Sequence, residues 1–379
     1  MTTAAAKQPT AHGLISLIRS TPPTPEWLGD AVKTALIEIA NAQDRNVLLR
    51  YHKFQGTADD RTIAAKWIGE AFQAPVDPDR ILVTNGTQNA LWLILLTQIG
   101  TGNTVLVEDL SYYAFRQLAR LAGIRIESVA MDDQGAVPED FERQCRLLSP
   151  KALYLQPTLH NPTSIIMSRQ RRQDLVDVAR KHGVSIIEDD VYGSLPDQAP
   201  SPFAELAPEL TWYATSPAKT VAPGIKIGYL VAPSPLAAKH TFDLVNIVST
   251  WHAAPISNAL SRIWIENGIT SKIRDAIRSE IRERQTIAAT ILEGMAYQTN
   301  PSSVYLWLKL PDVIPQQKFI SALAEKDVIL RPGEMFFTDP AQVTNHVRIV
   351  LGSPESRAAL AHGLTIIAGL IESHLSHGN

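Results

Sequence analysis

Between residues 80 and 232, short apolar runs recur, and stretches with helical spacing lie between several of them. Residues 81–84, 104–107, 124–130, 152–156, 184–188, 212–215 and 225–231 read as strands. Most are too apolar to bury one face only, as expected when helices cover both sides of a parallel sheet. The intervening stretch 168–182, with Leu175, Val178 and Ala179 at helical spacing, predicts one of the covering helices. Repetition of strand, helix and strand predicts an α/β unit with a seven-stranded, mainly parallel sheet covered by helices.

After Pro233 the pattern changes. Helical spacing dominates to about Met295, and 304–310 then reads as a strand. A helix follows over 316–326, an extended piece over 328–331, a strand over 347–351, and a last helix from about Glu355. That is a smaller α+β unit. Pro22, Pro23 and Pro25 mark an irregular segment leading into a helix from about Glu26. The expected organisation is an N-terminal segment (1–45), a larger unit (46–235) and a smaller one (236–379).

Composition narrows the function classes. The 379 residues are 45% hydrophobic and 19% charged, which is globular rather than disordered composition. Thirty-five basic and 38 acidic residues leave a net charge of −3, so there is no basic field for nucleic acid or for an anionic membrane. The single cysteine, Cys145, cannot close an intramolecular disulfide or build a thiolate metal site; it reads as a packing residue on a helix. That usage fits a reducing compartment, and a cytoplasmic location is expected. Apolar runs such as 90–96 fall short of the roughly 18 residues needed to span a bilayer. With one early lysine and no apolar core before Leu14, no signal peptide is expected.

The chemistry sits at the ends of the expected strands. Thr215-Ser216-Pro217-Ala218-Lys219-Thr220-Val221-Ala222-Pro223-Gly224-Ile225-Lys226-Ile227-Gly228 places a lysine in a turn of hydroxyls and small residues. An isolated lysine is usually a solvated surface charge. Glu188-Asp189-Asp190-Val191-Tyr192 crowds three carboxylates, which repel, so one of them needs a cationic partner. A metal-binding or solvated acidic turn is the alternative; no histidine or further acid lies at ligand spacing, and no metal is expected. Asn85-Gly86-Thr87-Gln88 joins a strand to an apolar helix, where glycine lets backbone approach a ligand and the first helical amides face an anion. His160-Asn161-Pro162-Thr163-Ser164 and Glu108-Asp109-Leu110-Ser111-Tyr112-Tyr113 follow two other strands. His160 by itself reads as structural or solvent-facing. Asn345-His346-Val347-Arg348 opens a late strand, and Arg331-Pro332-Gly333 precedes it.

In that order, from Tyr51 to Arg348, the motifs resemble pyridoxal-phosphate-dependent aminotransferases of the aspartate-aminotransferase fold (fold type I, class I/II). The closest likeness is to 2-aminoadipate and kynurenine aminotransferases and to the aminotransferase half of MocR-type regulators. In those regulators a winged-helix domain precedes this half; here the likeness begins around Leu14, so DNA binding is not expected. The resemblance implies that Lys219 holds the cofactor as a Schiff base and that Asp189 pairs with the pyridinium nitrogen. Tyr192 and Asn161 would contact the ring's 3-oxygen, and Tyr112 would stack on the ring, with Tyr113 as the alternative. Gly86, Thr87, Gln88, Ser216 and Lys226 would form the phosphate cup. Tyr51 would reach the phosphate of a neighbouring subunit, which implies a homodimer with shared active sites. Arg348 would grip the substrate's α-carboxylate, and Asn161 would also contact the substrate. The N-terminal segment would cross the active site, where Arg19 either meets an acidic side chain or is a surface arginine.

Four positions depart from the family pattern: Ser164 for glycine, Lys226 for arginine, Leu110 for proline, and Ser302-Ser303 for Gly-Gly. A lysine at 226 keeps the charge but loses the bidentate fork. The implied activity is transfer of an amino group between an L-amino acid and a 2-oxo acid. The same fold also supports C–S lyases, decarboxylases, racemases and oxidases, and a non-catalytic cofactor-binding sensor is the alternative from another class.

Overall fold

The computed structural model describes residues 13–42, 48, 55–72, 74–248, 253–339, 341 and 344–376. In chain order it begins with β1 (Ile15–Ser16), α1 (Leu28–Asn41), α2 (Ala58–Gly69), β2 (Ile81–Thr84), α3 (Thr87–Ile94), β3 (Thr104–Glu108), α4 (Tyr113–Leu121) and β4 (Arg125–Val129). A small hairpin follows, β5 (Met131–Asp132) with β6 (Gly135–Ala136), then α5 (Pro138–Leu148), β7 (Ala152–Leu155), α6 (Arg169–His182), β8 (Ser185–Asp189), β9 (Thr211–Thr215) and β10 (Gly228–Val231). The remainder is α7 (Pro235–Val248), α8 (Pro255–Glu266), α9 (Ile269–Ile291), β11 (Tyr297–Gln298), β12 (Tyr305–Lys309), α10 (Gln316–Ala324), β13 (Val328–Ile329), β14 (Arg331–Pro332), β15 (His346–Val350) and α11 (Arg357–Ser376).

All seven strands expected before Pro233 lie in one seven-stranded sheet of order β2-β10-β9-β8-β7-β3-β4. Only β10 runs against its neighbours. Along β3, Val105, Leu106 and Val107 are all fully buried: Val105 and Val107 enter one core and Leu106 the core behind the opposite face. Two covered faces explain why these strands read as unbroken apolar runs. Cys145 is buried on α5, as a packing residue should be.

The last strand begins later than its apolar pattern suggests. Residues 223–225 form a single 3₁₀ turn, and Lys226 follows in the left-handed region at φ 55°, so β10 starts only at Gly228. A side-chain pattern carries no sign of that backbone reversal. Helix α7 packs on the large sheet through Ala238 and Val245. In α9, Ile273, Ile277 and Ile281 join the large core, whereas Ala288 joins the core of the smaller sheet.

That smaller sheet is antiparallel, of order β11-β12-β15-β14. Against it packs α11, which is long and apolar enough to cross a membrane by composition alone. Its polar interruptions hid this from the run-length reading. The helix buries Leu360, Leu364, Ile367 and Ile371 in the smaller core. Ahead of everything, β1 pairs in parallel with β13, and Leu17 exchanges backbone bonds with Ile329 and Val350. The segment that follows is thereby carried across the mouth between the two sheets.

Candidate active site

In open parallel sheets, ligands bind beyond the carboxyl ends of the strands. Here those ends carry Asn85 and Gly86 after β2, Tyr112 after β3, Gln156 after β7, Asp189 closing β8 and Ser216 after β9. With Arg348 of β15 and residues 18–21, all of them line one cavity of about 390 Å³. Every site residue expected from the sequence is in its wall except Tyr51, which lies outside the described residues. A larger cleft of about 980 Å³ lies beyond Thr21 and Pro223, but there Glu280 already pairs with Arg284 and Arg357.

Strand alternation sorts the three crowded carboxylates. Glu188 and Asp190 point away from the cavity. Glu188 accepts from the backbone N–H groups of Phe203 and Ala204 at 3.1 and 3.0 Å, with Arg172 3.7 Å away. Asp190 accepts from the Tyr213 hydroxyl at 2.9 Å. The cation that the cluster required is therefore Arg172, fully buried on α6.

Asp189 faces the other way, into the cavity. Its Oδ2 accepts from the Tyr154 hydroxyl at 2.7 Å and from Gln156 Nε2 at 2.9 Å, while its buried Oδ1 has no partner among the described residues. Burial pushes its pKa up to about 6, against those two hydrogen bonds and the charge of Lys219. Neither Tyr154 nor Gln156 stood out in the sequence. The only signal was their place at the end of the neighbouring strand, and that needs the register to be read.

Lys219 is on the turn after β9, and its Nζ donates to the Ser20 carbonyl at 2.6 Å. Burial, then the nearby charges of Arg348 and Lys226, bring its pKa down to about 8, while Asp189 opposes them. Ser216 braces this turn: its hydroxyl donates to the Ile227 carbonyl at 2.6 Å and accepts from the Ala218 N–H at 3.0 Å. That commits its proton to the backbone.

Gly86, at φ 78°, caps α3, so the amides of Thr87 and Gln88 open toward the cavity without intrahelical acceptors. Gly228 lets β10 approach this turn; a Cβ there would lie 2.6 Å from the Gly86 carbonyl carbon. Lys226, exposed and left-handed, stands at the rim. Gln88 Nε2 donates to the Tyr112 hydroxyl at 3.0 Å. Tyr113 also lines the cavity, edge-on to Tyr112 and Phe336 and under the Arg331 guanidinium.

Arg348 is 2% exposed. Nη1 donates to Asn161 Oδ1 and Nη2 to the Ile18 carbonyl, both at 2.8 Å, and the guanidinium lies over the rings of Phe336 and Tyr305. Tyr192 is buried edge-on to Tyr305, and desolvation drives its hydroxyl pKa far up, so it stays protonated. Arg19 lines the cavity but is exposed. His160 is buried and structural. Its ring joins Thr163 Oγ1 at 2.8 Å and Glu108 Oε2 at 3.3 Å, tying the Asn161 turn to the end of β3.

Two departures from the family pattern meet. Ser164 sits in the left-handed region at φ 64°, and its Oγ lies 2.8 Å from Ser303 Oγ.

Residues 20–364 match the family described as aminotransferase class I and II. The chain belongs to that family. Among class I and II relatives, the 2-aminoadipate transaminase of Thermus thermophilus is 27% identical over 310 residues, which cover 77% of this chain and 74% of that enzyme. An uncharacterized HTH-type transcriptional regulator of Bacillus subtilis, YisV, is 27% identical over 69% of this chain and 55% of its own length. The chain spans 55–63% of the length of three such Bacillus subtilis regulators. In fold it matches an archaeal alanine:glyoxylate aminotransferase with a TM-score of 0.86, at 24% identity over 96% of this chain and 92% of that one.

Proposed function

We propose that the chain is a pyridoxal-phosphate-dependent aminotransferase that moves the amino group of an L-amino acid to a 2-oxo acid. One observation carries the reading: an amine of lowered pKa, a buried carboxylate and a buried arginine, on Lys219, Asp189 and Arg348, converge on one cavity from two different sheets.

The residues fit the cofactor. The unpartnered Oδ1 of Asp189 suits a protonated ring nitrogen, and the open amides of Thr87 and Gln88, with Lys226, suit a phosphate. Lys219 Nζ is the amine that would hold the aldehyde carbon. When bound, pyridoxal phosphate supplies an electron sink that stabilises negative charge at the substrate's α-carbon.

The chain's own groups do the rest. Asp189 stays ionised once a cation faces it and keeps that sink effective. Tyr192, protonated, donates a hydrogen bond into the site, beside Asn161. Arg348 presents its fork to the α-carboxylate, and the rings of Phe336 and Tyr305 keep the guanidinium in plane and dry. With the cofactor bound, Lys219 Nζ, as a free amine, would be the base that takes the substrate's α-proton and carries it for return to the reacting skeleton. A pKa near 8 leaves it partly neutral at neutral pH, as that role needs.

A homodimer with shared sites belongs to this reading, with Tyr51 as the residue that would cross between subunits. Sedimentation of the purified protein tests the pairing. For the chemistry, borohydride reduction and peptide mapping should mark Lys219, and single amino acids should convert the bound cofactor to pyridoxamine phosphate. Ammonia with pyruvate would instead indicate a lyase, and an unchanged spectrum a sensor. Lys219→Ala should abolish turnover; undiminished transamination in that variant would defeat the assignment.

A further inference from the structure

We propose that Arg116, on α4, is a positioning residue: it clamps segment 335–337 to the large sheet's side of the site and so sets the Phe336 ring against Arg348. The inference rests on the transaminase reading, in which Arg348 takes the α-carboxylate, and adds to it the residue that keeps that arginine aimed.

Arg116 is buried, and among the described residues no carboxylate pairs with it. Burial, then the charge of Arg120, brings its pKa down to about 10, so it stays charged at neutral pH. A buried cation without a counter-charge is costly. Arg116 spends its fork on backbone instead: Nη1 donates to the Phe337 carbonyl and Nη2 to the Met335 carbonyl. Those carbonyls lie at the end of a 3₁₀ turn, Gly333–Phe336. A rigid guanidinium fork can hold two acceptors at once, where an ammonium acts as a point charge.

The rest of the segment is fastened to the same side. The Phe336 carbonyl, between the two that Arg116 holds, accepts from the Ser111 N–H at 2.8 Å. Thr338 donates its N–H to the Asp109 carbonyl at 2.8 Å and its hydroxyl to the Glu108 carbonyl at 2.9 Å. Leu110 and Phe337 form an antiparallel bridge. All these partners lie between the end of β3 and the first turns of α4. In the chain, segment 335–338 joins β14 to β15 of the smaller sheet, yet its backbone is tied to the larger one.

The Phe336 side chain carries that tie into the site. Its ring is fully buried, edge-on to Tyr113 of α4 at 6.1 Å and to Trp307 of β12 at 5.7 Å, and the Arg348 guanidinium lies 4.9 Å from its centroid. Arg348 itself rides on β15. A ring anchored to one sheet therefore bears on an arginine carried by the other. Arg116 is outside the cavity wall and acts through this ring. Tilting the Arg348 fork weakens its hold on a carboxylate in ground state and transition state alike, which raises KM and spares kcat.

The test compares wild-type holoenzyme with Arg116→Met, Arg116→Lys, Phe336→Leu and the double variant Arg116→Met/Phe336→Leu. Steady-state kinetics with amino acid and 2-oxo acid separate KM from kcat, calorimetry measures the binding of unreactive pentanoate, and absorbance follows cofactor retention. Arg116→Met should raise KM and weaken pentanoate binding by about 10-fold, the scale of one charge-assisted hydrogen bond. Its kcat and cofactor retention should stay near wild type. Phe336→Leu should do the same, the double variant should be no worse than either single one, and Arg116→Lys should fall between Arg116→Met and wild type. An unmoved KM and pentanoate affinity in Arg116→Met, a parallel fall in kcat and cofactor retention, or additive effects in the double variant overturns the inference. If Arg116→Met does not fold, Arg116→Lys decides: a raised KM at retained kcat supports the clamp, and an unchanged KM refutes it. If no amino acid reacts with wild type, the transaminase reading fails by itself. Pentanoate binding then decides on Arg116, and a wild type that binds no pentanoate overturns the inference as well.

Discussion

Replacing Asp189 by Asn in cofactor-free protein should raise stability at pH 8 and do much less at pH 4.5. Burial holds the pKa of Asp189 near 6, above the ordinary 3.8. A carboxyl group raised in this way binds its proton more tightly in the folded chain than in the unfolded one, so its ionisation works against folding. That cost is absent well below pH 3.8, grows between 3.8 and about 6, and is complete above. At roughly 1.36 kcal/mol per pH unit, the gap amounts to about 3 kcal/mol at pH 8. By the same linkage, only about 1 kcal/mol of it is present at pH 4.5. Asparagine keeps an oxygen to accept from Tyr154 and Gln156 and drops the charge.

The assay is the urea unfolding midpoint of wild type and Asp189→Asn at both pH values. A variant that is less stable at pH 8, or a difference that is the same at both pH values, refutes the reasoning. Adding pyridoxal phosphate should reverse the order at pH 8. A ring cation beside Oδ1 makes the charge stabilising, and the asparagine variant forgoes that pair.

Two further outcomes follow from the site. With its pKa brought from 10.5 down to about 8, chiefly by burial, Lys219 is about one-quarter neutral at pH 7.5, against about one-thousandth for an ordinary lysine. The rate of covalent pyridoxal phosphate capture by cofactor-free protein should therefore level off near pH 8; a rate still climbing tenfold per pH unit between 8.5 and 10 would contradict it. Ser164→Ala and Ser303→Ala should be non-additive in unfolding free energy by about 0.5–1.5 kcal/mol, because each removes the other's partner. Additivity within about 0.3 kcal/mol would mean the pair contributes nothing.

The large sheet was legible because most of its strands, edge strand β4 excepted, are buried on both faces, which leaves apolar runs that no solvent-facing pattern imitates. Its order was not, since strand neighbours such as β3 and β7 are set by packing between distant segments. The acidic cluster shows where legibility stops. Mutual repulsion at 188–190 announced a cation, but its identity, Arg172, depends on a helix 16 residues upstream folding back over the sheet. The supports of Asp189 were hidden for the same reason. Gln156 comes one step past Leu155, which pairs with Glu188, so only the register sets it beside the carboxylate.

The departures from the family pattern make a stronger case. In the sequence, Ser164 and Ser302-Ser303 are two unrelated losses of glycine, 138 residues or more apart. In the fold, Ser164 adopts the left-handed backbone that glycine favours, and its Oγ is held by Ser303 Oγ at 2.8 Å and the Tyr305 carbonyl at 3.2 Å. Serine at both places replaces conformational freedom with hydrogen bonds, so the two changes compensate each other. Their shared anchor matters to the chemistry: the Tyr305 ring contacts both Tyr192 and the Arg348 guanidinium, and its hydroxyl donates to the Leu159 carbonyl, just before the Asn161 turn. A substitution that loosened this pair would therefore reach Arg348 through a tyrosine that stands outside the cavity wall.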